Sequence, residues 1–536
     1  MKLRLNKITY LLAAGALTLS ACGTQSAHRS SSEEYEKDGN FVTVVNADPG
    51  NLNPLVSNLN TTQIVNAYTY DSLLSPDVRT GELRPYLAKS WTEIGNQLRF
   101  SLREHITCTD GSAFTARTAA DAINWVTDKT NGSPLLGSTV PASTVATVEN
   151  DELVITTAEP APFLLARIGV MQLPCAAAIA DPSSIRASSN GTGLFKVTEV
   201  VPNDHITMER RDGYTWSPDT DTTSETLGVP KTVTIKIITD PTTAANLVLT
   251  GSANAATVPG ADEDRVRAYG LDSSPYTRMS GEMIFNQHDG LPTADRDVRT
   301  ALVQAVDLDS YSAINTGGVG TRAGALAVAE PLACNYRSVE GAVPTFDSAA
   351  AARKLAALGW KRDKDENTLS KDGKTLSLNV VFDNSRDTSA AAAEYLASQW
   401  EKLGVKVTLR GGNYNYIISN TYGATDPTSW DVSMGLSFQS NIPSMFHKYF
   451  SGPTKPEGIN FASITNENFS NLADNAATLP GSESCPIWEK AERELISSAD
   501  VIPVSTTPTP VFFNGATSLE PPSSGIIPGF AIRVLS

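Results

Sequence analysis

Ser389-Ala-Ala-Ala-Ala-Glu-Tyr-Leu-Ala-Ser-Gln-Trp-Glu-Lys-Leu403, followed by Gly404 and then Val405-Lys-Val-Thr-Leu409, decides the fold class of this 536-residue chain. The first segment is built from strong helix formers, with apolar residues returning at helical spacing. Glycine is the residue that accepts the left-handed turn closing a helix. The β-branched run that follows at once reads as a strand. A helix leading straight into a strand is half of an αβ unit, and such units build sheets covered by helices.

Outward from this join the same alternation continues in both directions. Strands are expected at 41–45, 98–102, 233–238 and 376–382, and helices at 118–128, 298–306, 348–358 and 485–498. Asp48-Pro-Gly-Asn-Leu-Asn-Pro54 punctuates a turn after the first strand. No short internal repeat is present. The class is α/β or α+β with several sheets.

The N-terminal end reads differently. Lys2, Arg4 and Lys7 precede an apolar run over about 8–19, and Leu19-Ser-Ala-Cys22 follows. This is the layout of an export signal over 1–21. The last four residues resemble the lipobox at which bacterial lipoproteins are cleaved and acylated, which makes Cys22 the expected lipidation site. Acyl chains gain about 0.8 kcal/mol per buried CH₂, so several chains on one residue anchor firmly. An ordinary secretory signal with an incidental cysteine is the alternative. The apolar run is shorter than the roughly 20 residues that cross a bilayer. Segment 22–40 is polar and aperiodic, and reads as a tether.

A net charge of −16 argues against nucleic acid, whose phosphates need clustered Lys and Arg. The hydrophobic fraction of 40% fits a globular protein with a large core. The histidines are scattered, and no C-x-x-C occurs, so no metal or other cofactor is expected. No G-x-S-x-G or H-E-x-x-H occurs either. Gly318-Val-Gly-Thr-Arg-Ala323 fits G-x-G-x-x-A, but it follows a helix end rather than a strand, which removes a dinucleotide site. No enzyme activity is expected. With Cys22 assigned to lipid, Cys108, Cys175, Cys334 and Cys485 remain. An even number in an exported chain suggests two disulfides, with three connectivities open and four free thiols as the alternative.

A set of motifs in fixed order carries a resemblance. These are Leu83-Arg-Pro-Tyr-Leu-Ala-Lys-Ser-Trp91, Phe100-Ser-Leu-Arg103, Thr109-Asp-Gly-Ser112, Gly191-Thr-Gly-Leu-Phe-Lys196, Glu209-Arg210 with Tyr214-Thr-Trp216, Asp297-Val-Arg-Thr-Ala-Leu302, and Phe346-Asp347 through Gly359-Trp360. Together they resemble the solute-binding lipoproteins of peptide-type ABC importers, which take dipeptides, oligopeptides or nickel. The physical reading of the motifs is architectural. Gly191 and Gly193 are expected to supply unusual backbone angles, and Trp91, Trp216 and Trp360 to anchor cores.

The resemblance implies a two-lobed periplasmic-binding-protein-like fold of type II, with lobe I over 41–284, an inserted subdomain near 75–180, lobe II over 285–502 and a return to lobe I over 503–536. The disulfides that keep each bridge within one lobe are Cys108–Cys175 and Cys334–Cys485. The implied function is capture of a peptide or peptide-like solute between the lobes and delivery to a membrane permease, by a monomer held on the outer face of the cell membrane. A non-peptide polar solute, or a role as sensor or adhesin, is the alternative.

Candidate contacts are Asn58, Asn60, Ser280, Glu282, Asn286, Tyr414, Tyr416, Trp430, Phe438, Gln439 and Asn441. In peptide-binding members an aspartate in "W-x-x-D-Y-x-x-P" holds the ligand's ammonium. Alignment on Pro443 places Gln439 at that position. This implies a neutral or blocked group held by Gln439, Ser440 and Asn441, unless Asp426 or Glu282 supplies the charge from another loop.

Overall fold

Strand and helix alternate as their apolar periods dictate, and a computed structural model describes them over residues 34–536, apart from 58, 159–160, 219–220, 364–366, 385 and 437. The export signal, Cys22 and Asn58 lie outside the described residues.

The largest sheet has eight strands. Its order is Asp272–Ser280, Ser505–Phe513, Ala255–Thr257, Asn40–Val45, Thr232–Ile237, His205–Arg210 and Phe195–Val201, with Thr321–Arg322 added beside Ser505–Phe513. A four-stranded antiparallel sheet between Ala88 and Thr156 carries the helix Ala116–Thr127. A five-stranded sheet runs Lys406–Gly412, Ser377–Asp383, Val432–Met434, Met283–Phe285 and Val501–Ile502. The αβ join read from the sequence lies in this sheet. The helix Asp387–Leu403 ends at Gly404 with φ +95°, and the strand Lys406–Gly412 pairs in parallel with Ser377–Asp383.

Two cores follow from these sheets. One gathers Phe41, Phe100, Ile123, Phe195, Tyr214 and Trp216, and the other Phe285, Leu302, Val380, Leu396 and Trp400. Of the three expected tryptophan anchors, Trp216 is fully buried, whereas Trp91 and Trp360 are only half-buried against their cores.

Several motif residues converge on one buried carboxylate. Asp71 accepts from Tyr86 Oη at 2.5 Å and from Trp216 Nε1 at 2.9 Å. Arg211 lies beside it and donates to the carbonyls of Gly193 and Thr107 at 3.0 and 2.8 Å. Gly191 and Gly193 serve a different need from the one expected. Neither has left-handed backbone. A Cβ on Gly191 would sit 2.4 Å from the Thr69 carbonyl oxygen, and one on Gly193 would sit 2.5 Å from the Thr69 carbonyl carbon. Close chain approach, not backbone angle, excludes a side chain there.

The chain passes between the two larger sheets twice, side by side. Asp272–Ser280 leads through Gly281 and Glu282 into Met283–Phe285, and Val501–Ile502 leads back into Ser505–Phe513. The paths pair antiparallel on both sides of the change, Ser280 with Ser505 and Met283 with Ile502. A buried ion pair fastens the second sheet's half. Arg299 Nη2 meets Asp500 Oδ1 at 2.6 Å, and Gln287 and Asn466 each donate to Asp500 at 2.7 Å. Arg299 also donates to the carbonyls of Ser498, Ala499 and Thr293.

Disulfides join Cys108 to Cys175 and Cys334 to Cys485. Among the described residues no helix is long and apolar enough to cross a membrane.

Removing one member of a buried ion pair strands the other. Arg299→Leu is expected to cost about 3–5 kcal/mol in urea unfolding. Arg299→Lys, which keeps the charge and loses the fork, is expected to fall between. A loss below about 1 kcal/mol for Arg299→Leu would show that the pair holds nothing together.

Candidate functional site

The carboxyl ends of parallel strands, beside the amino ends of the following helices, are where open α/β sheets place ligands. In the five-stranded sheet that position is the end of Ser377–Asp383 and the start of Asp387–Leu403. A small polar cavity opens there. The strand Asp272–Ser280 of the large sheet closes one wall through Arg278, Met279 and Ser280. Asp383, Arg386 and Ser389 form the facing wall. Gly281 makes the turn between the sheets with φ +79°, and a Cβ there would meet Asn315 and Tyr311 at 2.9 Å.

A second group of polar atoms lies just beyond Gly281. Glu282 is buried, its Oε2 accepts from the Phe438 amide at 3.4 Å, and its Oε1 has no partner among the described residues. Burial pushes its carboxyl up to about 8, and the charge of Glu492 adds to the shift. Both side-chain polar atoms of Gln439 and the indole nitrogen of Trp430 are likewise buried without partners. Such groups are rare in folded proteins and mark sites where something else completes them. Phe438 packs against Tyr449, Phe450 and Phe461, and Trp430 stacks on Phe461 at 5.9 Å. Tyr414 stands close enough to Arg278 and Glu282 to feel both charges.

The candidate contacts divide by what their groups already do. Glu282 meets the Phe438 amide, Gln439 follows Phe438 in the chain, Trp430 and Phe438 both pack on Phe461, Tyr414 is close enough to feel the charge of Glu282, and Ser280 lies on the cavity wall. Asn286 does not belong with them. Its amide donates to the carbonyls of Pro427 and Trp430 at 2.7 and 2.8 Å and its oxygen accepts from the His288 amide, so no group is left for a solute. Ser440 bonds the Ile442 amide and carbonyl, and the Asn441 carbonyl accepts from Ala333 at 2.9 Å. Asn60 donates to the Ser524 carbonyl at 3.1 Å, and the Tyr416 ring packs over Gly412. Asp426 is exposed and spent on Thr428, so of the two alternative carboxylates Glu282 is the one beside Gln439. Arg278 and Arg386 escaped the sequence reading, because nothing local distinguishes them from other surface arginines.

The family description "Bacterial extracellular solute-binding proteins, family 5 Middle" matches residues 82–457, most of the chain. The chain belongs to this family. Among characterised family 5 relatives, the oligopeptide-binding protein AppA of Bacillus subtilis is 25% identical over 54% of this chain, a match spanning 51% of AppA. The nickel-binding periplasmic protein of Escherichia coli is 25% identical over 78% of this chain and 80% of its own length. Solved structures share the fold at lower identity. The substrate-binding protein of Microbacterium hydrocarbonoxydans, complexed with 4-hydroxybenzoate hydrazide, gives a TM-score of 0.75 at 22% identity over 92% of this chain and 100% of its own. AppA with a nonapeptide gives 0.76 at 19% over 94% of this chain and 100% of its own. The fold of this family 5 member is the two-lobed α/β fold of those proteins.

The raised carboxyl of Glu282 has a consequence for stability. Glu282 holds its proton to higher pH in the folded protein than in the unfolded chain, so its contribution is complete below the ordinary carboxyl range and is lost as pH rises toward about 8. Wild type is therefore expected to lose on the order of 2 kcal/mol relative to Glu282→Gln between pH 5 and pH 8, read by urea melts. Parallel curves for the two proteins would show that Glu282 is ionised throughout.

Proposed function

We propose that this chain is the extracytoplasmic solute-binding subunit of an ABC importer, taking a peptide or peptide-like solute between its lobes and handing it to a membrane permease. The observation that carries this reading is the polar cavity at the paired crossings, bordered by residues of both sheets. Two adjacent strands are a natural hinge, because a small rotation at 281–282 and 503–504 moves one lobe against the other. The lobes on this reading are 41–284 with 503–536, and 285–502. Capture stabilises the closed form, and the permease reads closure. No covalent step is involved.

Peptide is the favoured solute because of Glu282. Gln439 stands where peptide-binding relatives of the resemblance carry an aspartate, yet Glu282, on the neighbouring Phe438 amide, has an Oε1 without a partner among the described residues and gives up its proton when an ammonium pairs with it. A buried ammonium needs such a paired charge. Export and anchoring complete the reading, with the signal removed at Cys22, the new terminus acylated and segment 22–40 acting as the tether of a monomer.

A melting screen of the unlipidated protein against free peptides, N-acetylated peptides, sugars and metal chelates tests the solute class. A ligand at 100 times its Kd stabilises by about 2.7 kcal/mol. Free tripeptides or longer are expected to raise Tm and their N-acetylated forms to do so at least tenfold less potently. A response to sugars or blocked peptides alone would reverse the assignment. Cys22→Ser is expected to move the protein from the membrane to the soluble fraction.

A further inference from the structure

The segment 323–334 belongs to no helix or strand, yet its backbone holds part of the candidate site. Val328 and Ala329 both donate to the Ser440 carbonyl, at 3.0 and 3.1 Å, and Ala333 donates to the Asn441 carbonyl at 2.9 Å. Ser440 and Asn441 directly follow Phe438 and Gln439. The Val328 side chain packs with Met279, which lines the cavity at the crossings. No strand ladder runs along the segment, so its place depends on its fixtures. At one end Thr321–Arg322 pairs with Ser505 and Thr506 of the large sheet. At the other, Cys334 is bonded to Cys485, the first residue of the helix Cys485–Ser497. Between them the Leu326 amide donates to Glu492 of that helix at 3.0 Å. The two disulfides differ in access. Cys108 and Cys175 lie within the first core, 1% and 0% exposed. Cys334 is buried too, but Cys485 is only partly buried, and thiol exchange needs an approach to sulfur.

We propose that the Cys334–Cys485 bridge is a thiol-sensitive switch that sets the position of the site segment 438–441 through the backbone of 326–334. The proposal deepens the transport reading and rests on it for the identity of the solute. The reductant is an external thiol, either a small one or a dithiol reductase. Its thiolate bonds to Cys485 Sγ, the Sγ–Sγ bond breaks, and Cys334 leaves with the electron pair and takes up a proton. A second external thiolate bonds to the external sulfur of the mixed disulfide. Cys485 then leaves as a thiolate at a helix start, where the amide dipoles favour it, and is protonated in turn. Two external thiols become one disulfide, and the protein gains two thiols. Ala333, next to the freed Cys334, is no longer held against Asn441, and the release passes along the backbone to Ala329, Val328 and the Ser440 carbonyl. The Phe438 amide then loses its fixed place on Glu282. The pairing at 321–322 and the bond from Leu326 to Glu492 remain, so the segment loosens while its surroundings stay folded.

The test treats the folded protein with dithiothreitol, traps free thiols with iodoacetamide and locates them by mass spectrometry. Cys334 and Cys485 are expected to be labelled at least tenfold faster than Cys108 and Cys175. Hydrogen exchange of the reduced protein is expected to speed at least tenfold at the amides of Val328, Ala329, Ala333 and Phe438. Exchange in the strands Ser377–Asp383 and Asn40–Val45 is expected to stay within twofold, and reoxidation to restore the slow rates. The double variant Cys334→Ser, Cys485→Ser is expected to exchange fast at the same amides without reductant. Reversible reduction of wild type decides the matter where that variant does not fold. Trialanine is expected to bind several-fold more weakly to the reduced protein. Equal labelling of the two bridges, unchanged exchange at the four amides, or exchange rising equally in Ser377–Asp383 overturns the switch. So does equal trialanine affinity in the two states. Fast exchange confined to the four amides supports the switch even when no free peptide binds in either state, an outcome that overturns the peptide reading alone.

Discussion

The buried contact between Arg299 and Asp500 is the constraint on which the two-lobed arrangement depends. Asp500 immediately precedes the strand Val501–Ile502 that carries the chain back toward the large sheet. Its own carbonyl accepts from the Phe285 amide at 3.1 Å, at the end of the outgoing strand Met283–Phe285. Gln287, two residues on, donates to its carboxylate. Both crossings are thus tied to one buried charge, and that charge is tied to the helix Arg296–Gln304 through Arg299. Without the guanidinium the carboxylate would be stranded in the protein interior, where desolvation outweighs everything else it could do. The two neutral amides on Asp500 fix direction as well as charge. Two strands fastened to one point are held as a unit.

The large sheet has a corresponding anchor in Asp71. Its partners Tyr86 and Trp216 belong to separate sequence motifs, and Arg211, beside it, holds the carbonyls of a third motif through Gly193. The spacing of these motifs in the sequence therefore has no local meaning. They are far apart in the chain because they approach one carboxylate from different elements.

This separation explains how much was legible. The helix–Gly404–strand join, the helix Ala116–Thr127 and the strand Asn40–Val45 follow from periodicity and turn chemistry, which act over a few residues. The motif order carried the family. The glycines at 191 and 193 were visible as special, but the reason was the Thr69 backbone passing beside them, which only the fold reveals. The same holds for the site. Gln439 stood out by replacing an expected carboxylate, while Glu282, whose Oε2 accepts from the neighbouring Phe438 amide, sits more than 150 residues away in the chain. Asn286, beside the crossing, braces the Pro427–Trp430 turn through its amide, a role that no local pattern announces. Arg278 and Arg386 carry no sequence signal, because their significance is that the fold brings two like charges together.

That juxtaposition gives the cleft a direction of response. Arg278 sits on a strand of the large sheet and Arg386 at the start of the helix Asp387–Leu403, whose neighbouring strands belong to the five-stranded sheet. Burial, and next the charge of Arg278, hold the Arg386 guanidinium below its usual range, and the charge of Asp383 opposes them. On the other side of Gly281, closing water away from Glu282 costs free energy until a cation or donor reaches Oε1. A solute shifts an equilibrium only by what it contributes differently to the two forms. On the proposed transport reading, a solute that brings a donor to Glu282 favours the closed form more than one that leaves it without a partner.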